Sequence, residues 1–129
     1  MDESQLQKTI CDFIRLSYPS TIFRSDFASG VKLTIGQAIA HKRLQSSRAW
    51  PDLQIVEARG NYHGLLIELK RDGAMVYLKN GELSSNPHIQ EQAEMIRRLN
   101  ELGYYATFAI GFKAAREVIV GYMSMRKTP

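Results

Sequence analysis

Cysteine is nearly absent from this chain: Cys11 is the only one in 129 residues. That excludes an intrachain disulfide and any thiolate zinc cluster. Cys11 falls on a predicted helix, where a small buried hydrophobe is expected. The three histidines, His41, His63 and His88, are far apart and share no metal-ligand spacing, so each is read as a surface residue. No apolar run approaches the roughly 20 residues that cross a bilayer, and residues 1–20 carry acids, unlike a secretory leader. A soluble cytosolic protein is expected. Gly60 and Gly64 do not have the spacing of a phosphate-binding loop, and Ser46-Ser47 lacks the glycines of a nucleophile elbow. Nucleotide-dependent chemistry is therefore not expected.

What the chain does have is enough apolar material for a core. Its hydrophobic share is 44%, which predicts one domain over residues 1–129. The net charge is +4 and the pI about 9.3, which fits a nucleic-acid partner without requiring one. Lys42, Arg43 and Arg48 cluster before a Pro-Asp, and Arg97-Arg98 form a second pair. Phosphate contacts and a solvated helix face explain such clusters about equally.

The pattern predicts a helix over 3–17 with Leu6, Ile10, Phe13, Ile14 and Ser17 on one face, closed by Tyr18-Pro19-Ser20. A short strand over Thr21–Arg24 and a loop over Ser25–Gly30 follow. Thr34 is placed to cap a helix to about Leu44. Strands are expected at 52–56 and 65–70 around an Arg59-Gly60-Asn61-Tyr62 turn. Lys79-Asn80-Gly81 predicts a small hairpin excursion over 72–85, its arms at 75–78 and 82–84. Asn86-Pro87 starts a helix that Gly103 stops near Leu102. A strand over 104–110 and a helix over 113–123 complete the chain, with residues 126–129 expected to fray. The predicted class is α/β, a mixed central sheet flanked by helices.

The chemistry lies between residues 50 and 70. On a strand, Glu68 and Lys70 share a face about 6–7 Å apart, with Leu65, Ile67 and Leu69 on the other. If the preceding strand pairs antiparallel about Gly60, Asp52 falls nearly opposite Glu68. Two carboxylates at that range repel unless a cation lies between them. Oxygen donors without sulfur favour Mg²⁺ or Mn²⁺, and the Leu69 carbonyl is a further ligand. A metal there polarises a phosphoryl oxygen and acidifies water; Lys70 orients that water or stabilises developing negative charge. Glu3 and Gln92 also stand on apolar stripes. Glu3 either completes the metal shell or serves the helix dipole, and Gln92 either points inward toward a ligand, phosphate or water or lies at the stripe's edge. Gln90 is read as a surface residue.

Pro51-Asp52, Glu68-Leu69-Lys70 and Gln92 resemble the PD-(D/E)XK nuclease superfamily. With His88-Ile89-Gln90-Glu91-Gln92-Ala93, Leu99, Gly103-Tyr104 and an opening helix bearing Glu3 and Gln7, the chain is similar to a stand-alone VRR-NUC domain over about residues 3–122. The resemblance implies a restriction-endonuclease-like core and Mg²⁺- or Mn²⁺-dependent cleavage of structured DNA by a homodimer acting on four-way junctions. It implies Glu3, Asp52, Glu68 and the Leu69 carbonyl as metal ligands, Lys70 as the catalytic lysine and Gln92 as the motif glutamine. Trp50 departs from the pattern, which has a small residue before Pro-Asp; its ring either stacks on a base or joins the core. A silent DNA-binding module on the same fold and a duplex-specific restriction-type nuclease are the alternatives. The helix at 34–44 and the hairpin arm are the surfaces expected to build a dimer.

Overall fold

The computed structural model describes residues 1–26 and 31–129. Helix α1 (Glu3–Ser17) starts at a capping box in which Asp2 accepts from the Gln5 amide and the Gln5 side chain accepts from Asp2. Leu6, Ile10 and Ile14 then lie wholly buried on one stripe, each contributing roughly 1.5–3 kcal/mol on burial. Ser17, expected on that stripe, is exposed, because the helix ends there at Tyr18.

Strand β1 (Phe23–Ser25) begins two residues later than expected and includes Ser25; Asp26 follows, and residues 27–30 of the predicted loop lie outside the described residues. Helix α2 (Ile35–Arg43) is capped by Thr34, whose hydroxyl accepts from the Gln37 amide. Strands β2 (Leu53–Ile55) and β3 (Leu65–Lys70) follow. Their antiparallel register pairs Leu53 with Ile67 and Ile55 with Leu65, so it is centred on Gly60, which takes a positive φ of 56°.

The excursion is slighter than two strands. A single bridge joins Tyr77 to Leu83, and Leu78 and Ser84 amides donate to Glu82 and Val76 carbonyls. Its turn is centred on Lys79-Asn80, within the expected Lys79-Asn80-Gly81 connection. The Gly81 amide donates to the Leu78 carbonyl and Gly81 has φ 84°, the three-residue loop with a left-handed glycine at its end. Val76 is fully buried and roots the arm.

Helix α3 (Pro87–Glu101) starts where expected, with the Asn86 side chain accepting from the His88 amide. Strand β4 (Tyr105–Ile110) pairs parallel with β3, from Leu65–Tyr105 to Lys70–Ile110. Helix α4 (Gly111–Met123) starts two residues earlier than expected, with no linker after the strand. Gly111 makes this sharp change possible at φ 85°; a Cβ there would stand 2.1 Å from Asp72 Oδ1.

The four strands form one mixed sheet in the order β1-β2-β3-β4. Leu65, Ile67 and Leu69 face the core shared with α1 and α4, whereas Leu66 and Ala106 face α3 through Met95 and Leu99. The chain end is docked rather than frayed. Lys127 bridges to Arg59, and the Gly60 amide donates to the Arg126 carbonyl. Cys11 is half-buried rather than core, with Ser25 as a hydrogen-bond partner. Among the described residues, no helix is long and apolar enough to cross a membrane.

Candidate active site

Among the described residues, four polar or charged side chains are buried: Asp52 (9% exposed), Glu68 (5%), Lys70 (7%) and Gln92 (5%). They come from β2, β3 and α3 and meet on one face of the sheet. The β2–β3 register carries Asp52, one residue before β2, opposite Glu68. Glu68 and Lys70 lie on the α3 side of β3 because that strand's alternation puts Leu65, Ile67 and Leu69 on the other. Gln92 reaches them from α3.

The contacts are specific. Asp52 Oδ2 accepts from the Leu69 amide at 2.9 Å. A strand residue's N–H and C=O leave on the same edge, so the Leu69 carbonyl also points toward Asp52. Gln92 Nε2 donates to Glu68 Oε1 at 2.8 Å, and Lys70 Nζ lies 4.0 Å from the same oxygen. Burial pushes the Glu68 carboxyl up to about 10, helped by the Asp52 charge and a hydrogen bond to Asp52; Lys70 opposes the rise and Glu3 adds to it. Without added positive charge, Glu68 therefore keeps a proton at neutral pH.

Ser25 and His88, not read as site residues from the sequence, support this site together with Gln7 of the opening helix. The Ser25 hydroxyl donates to the Asp52 carbonyl at 3.0 Å, beside the Asp26 amide at 2.8 Å. Gln7 on α1 in turn donates to Ser25 Oγ at 2.5 Å and to the Asp26 carbonyl at 2.6 Å. This ties α1, β1 and the Asp52 backbone together. His88, expected to be a plain surface histidine, is exposed but sits with Nε2 3.2 Å from Gln92 Nε2. The four-residue separation on a helix was the available signal for that pair; the Ser25 contact crosses elements and had none.

Glu3 is in the first turn of α1, half-buried, and its charge is felt at Glu68. Its place in the first turn suits the helix dipole, one of the two roles considered for it; among the described residues no three His, Cys, Asp or Glu side chains group closely enough to hold a metal ion. Lys42 and Arg43 are exposed on the last turn of α2. Arg48 is engaged by Glu91 on α3 through Nε at 3.1 Å and Nη2 at 3.0 Å. Gln90 is exposed, as expected, and donates to the Ser84 carbonyl.

The buried donors fit a hard divalent cation on their chemistry. Asp52 and Glu68 offer carboxylate oxygens whose mutual repulsion a cation relieves, and Mg²⁺ is commonly held by one or two carboxylates together with substrate phosphates and water. Gln92 Oε1 is buried without a hydrogen-bond partner among the described residues, an acceptor suited to a donor such as ordered water.

A mixed sheet flanked by helices on both faces, with an acid–acid–lysine set at its centre, is an α/β fold of the restriction-endonuclease type. Comparison makes this more particular. No family model matches the sequence, and no curated protein does. Among solved structures, the chain is similar to one described as a "VRR_NUC domain protein", at 26% identity and a TM-score of 0.70, over 98% of this chain and 92% of that one. The chain has the fold of a VRR-NUC domain, a domain of the nuclease type, as the motif resemblance implied.

Proposed function

We propose that this protein is a Mg²⁺- or Mn²⁺-dependent endonuclease that hydrolyses phosphodiester bonds in structured DNA, with four-way junctions as the expected substrate. One observation carries the reading: Asp52 and Glu68 are placed opposite each other in a buried site beside Lys70. A fold has little reason to bury two adjacent carboxyls unless a cation joins them. Asp52, Glu68 and the Leu69 carbonyl would hold that ion, with Glu3 near enough to add charge. When bound, the ion supplies charge that polarises a phosphoryl oxygen and favours ionised water.

The chain's own side chains do the rest. The Leu69 amide fixes one Asp52 oxygen and so sets the aim of that carboxylate. Lys70, buried beside Glu68, orients the attacking water and stabilises charge developing on the phosphate. Gln92 holds the Glu68 carboxylate from α3. Lys42 and Arg43, exposed at the end of α2, are suited to backbone phosphates. Arg48 contributes mainly by tying its loop to α3 through Glu91.

A homodimer belongs to the same reading, because paired cuts across a junction require two sites. Helix α2 supports it: none of its residues is buried, and Ile35 and Ile39, one turn apart, are exposed. The test is cleavage of duplex, flap and four-way-junction DNA with Mg²⁺ or Mn²⁺, alongside Asp52→Ala and Lys70→Ala proteins shown by circular dichroism to be folded. Cutting by wild type alone supports the proposal. DNA binding without cutting makes the domain a silent module, and undiminished cutting by both variants rejects the site.

A further inference from the structure

Helix α3 covers only part of the sheet face that carries Asp52, Glu68 and Lys70. It packs on Leu66 of β3 and Ala106 of β4. The register puts Arg24 and Gln54 in line with Leu66 on that same face, but over β1 and β2 the face is open. It forms the floor of a cleft of about 560 Å³ that runs to Asp52, bordered by His41 from α2 and by Trp50. This volume is ordinary for a small-ligand site.

Trp50 is held in a particular way. Ala49, Pro51, Asp52 and Leu53 around it are all buried, while Trp50 itself is 38% exposed. Proline at the next position disfavours helical backbone at Trp50, and Trp50 lines the cleft edge. A large aromatic surface left partly wet, two residues from a candidate metal ligand, is not accounted for by core packing. Arg24 on the floor adds a cation within the same cleft.

Resting on the nuclease reading above, we propose that this cleft receives an unpaired nucleobase of the DNA strand to be cut. The base stacks on Trp50, and Arg24 faces the adjoining phosphate. Stacking on an aromatic ring needs the π-face of a base to be exposed, which branched or frayed DNA provides and intact duplex does not. Trp50 thereby helps select structured over regular DNA, and does so as a binding residue rather than through the chemical step.

Because Trp50 is the only tryptophan in the chain, its emission reports the contact directly. Lys70→Ala protein is titrated with a four-way junction, a flap and a perfect duplex of equal length. Indole emission is followed beside the anisotropy of the labelled DNA. The branched DNAs are expected to quench emission on binding, and the duplex far less. In Lys70-intact protein, Trp50→Ala should raise KM for branched DNA about ten- to a hundredfold with a much smaller change in kcat, and Trp50→Phe should recover most of that loss. Binding seen by anisotropy with unchanged emission, or wild-type KM in Trp50→Ala, overturns the stacking proposal and leaves the nuclease reading standing. Failure to bind or cut any of the three DNAs overturns both.

Discussion

Replacing Glu68 with glutamine, in the absence of metal, should make the protein more stable at neutral pH. The Glu68 carboxyl is raised from an ordinary 4.5 to about 10, chiefly by burial and then by Asp52. Between those values the folded protein holds a proton that the unfolded chain has released. Stability then falls as pH rises, at about 1.4 kcal/mol per pH unit. The Glu68 contribution is greatest below pH 4.5 and has fallen by roughly 3 kcal/mol at pH 7 on the same scale. The introduced glutamine would mimic the protonated acid, its amide donating to Asp52 while its carbonyl accepts from Gln92, as Glu68 Oε1 does now at 2.8 Å. The variant should escape the slope. Thermal melts in EDTA from pH 5 to 8 are the assay, with roughly 3–5 °C of Tm expected per kcal/mol for a chain of this size. Wild type should lose about 10 °C or more across the range, and Glu68→Gln should stay nearly flat. Mg²⁺ should restore wild type increasingly as pH rises, since the ion competes with the proton, and should leave the variant unmoved. A wild-type Tm independent of pH in EDTA, or an equal Mg²⁺ effect on both proteins, would refute the buried carboxyl pair as a cation site.

Other substitutions test other parts of the argument. Asp52→Ala and Lys70→Ala should each lower cleavage of branched DNA by at least about a hundredfold, measured under single-turnover conditions with folded protein. Gln92→Ala should cost less, about tenfold, because Gln92 acts through Glu68; it should also weaken Mg²⁺ binding in a titration followed by Tm. Gly111→Ala should destabilise by at least about 2 kcal/mol in urea, since it combines φ 85° with a Cβ driven into Asp72. Ile39→Glu on α2 should shift sedimentation from dimer to monomer while leaving the far-ultraviolet spectrum unchanged; a wild-type monomer at micromolar concentration would remove the dimer proposal.

Much of this protein was decided locally and could be read from the chain. Thr34 and Asn86-Pro87 announced helix starts because capping needs nothing beyond a few neighbouring residues, and Asp2 with Gln5 caps α1 in the same local way. The run Leu65–Lys70 was legible because a strand's alternation is its own pattern, and a turn centred on Gly60 was enough to bring Asp52 opposite Glu68. Gln92 was visible as a polar residue on an apolar helical stripe.

Other features depended on elements meeting. The docking of residues 126–128 on the Arg59–Gly60 turn joins segments more than 60 residues apart, so no local pattern announced it. The same holds for the chain of contacts from Gln7 through Ser25 to Asp52. Whether Trp50 lay in the core or at the cleft was undecidable from its neighbours. Burial is set by what α2, β1 and β2 leave uncovered, and only their packing settles it. Local propensity and periodicity thus specify which residues can share a face. The environment that perturbs Glu68 arises only when β2, β3 and α3 exclude water together.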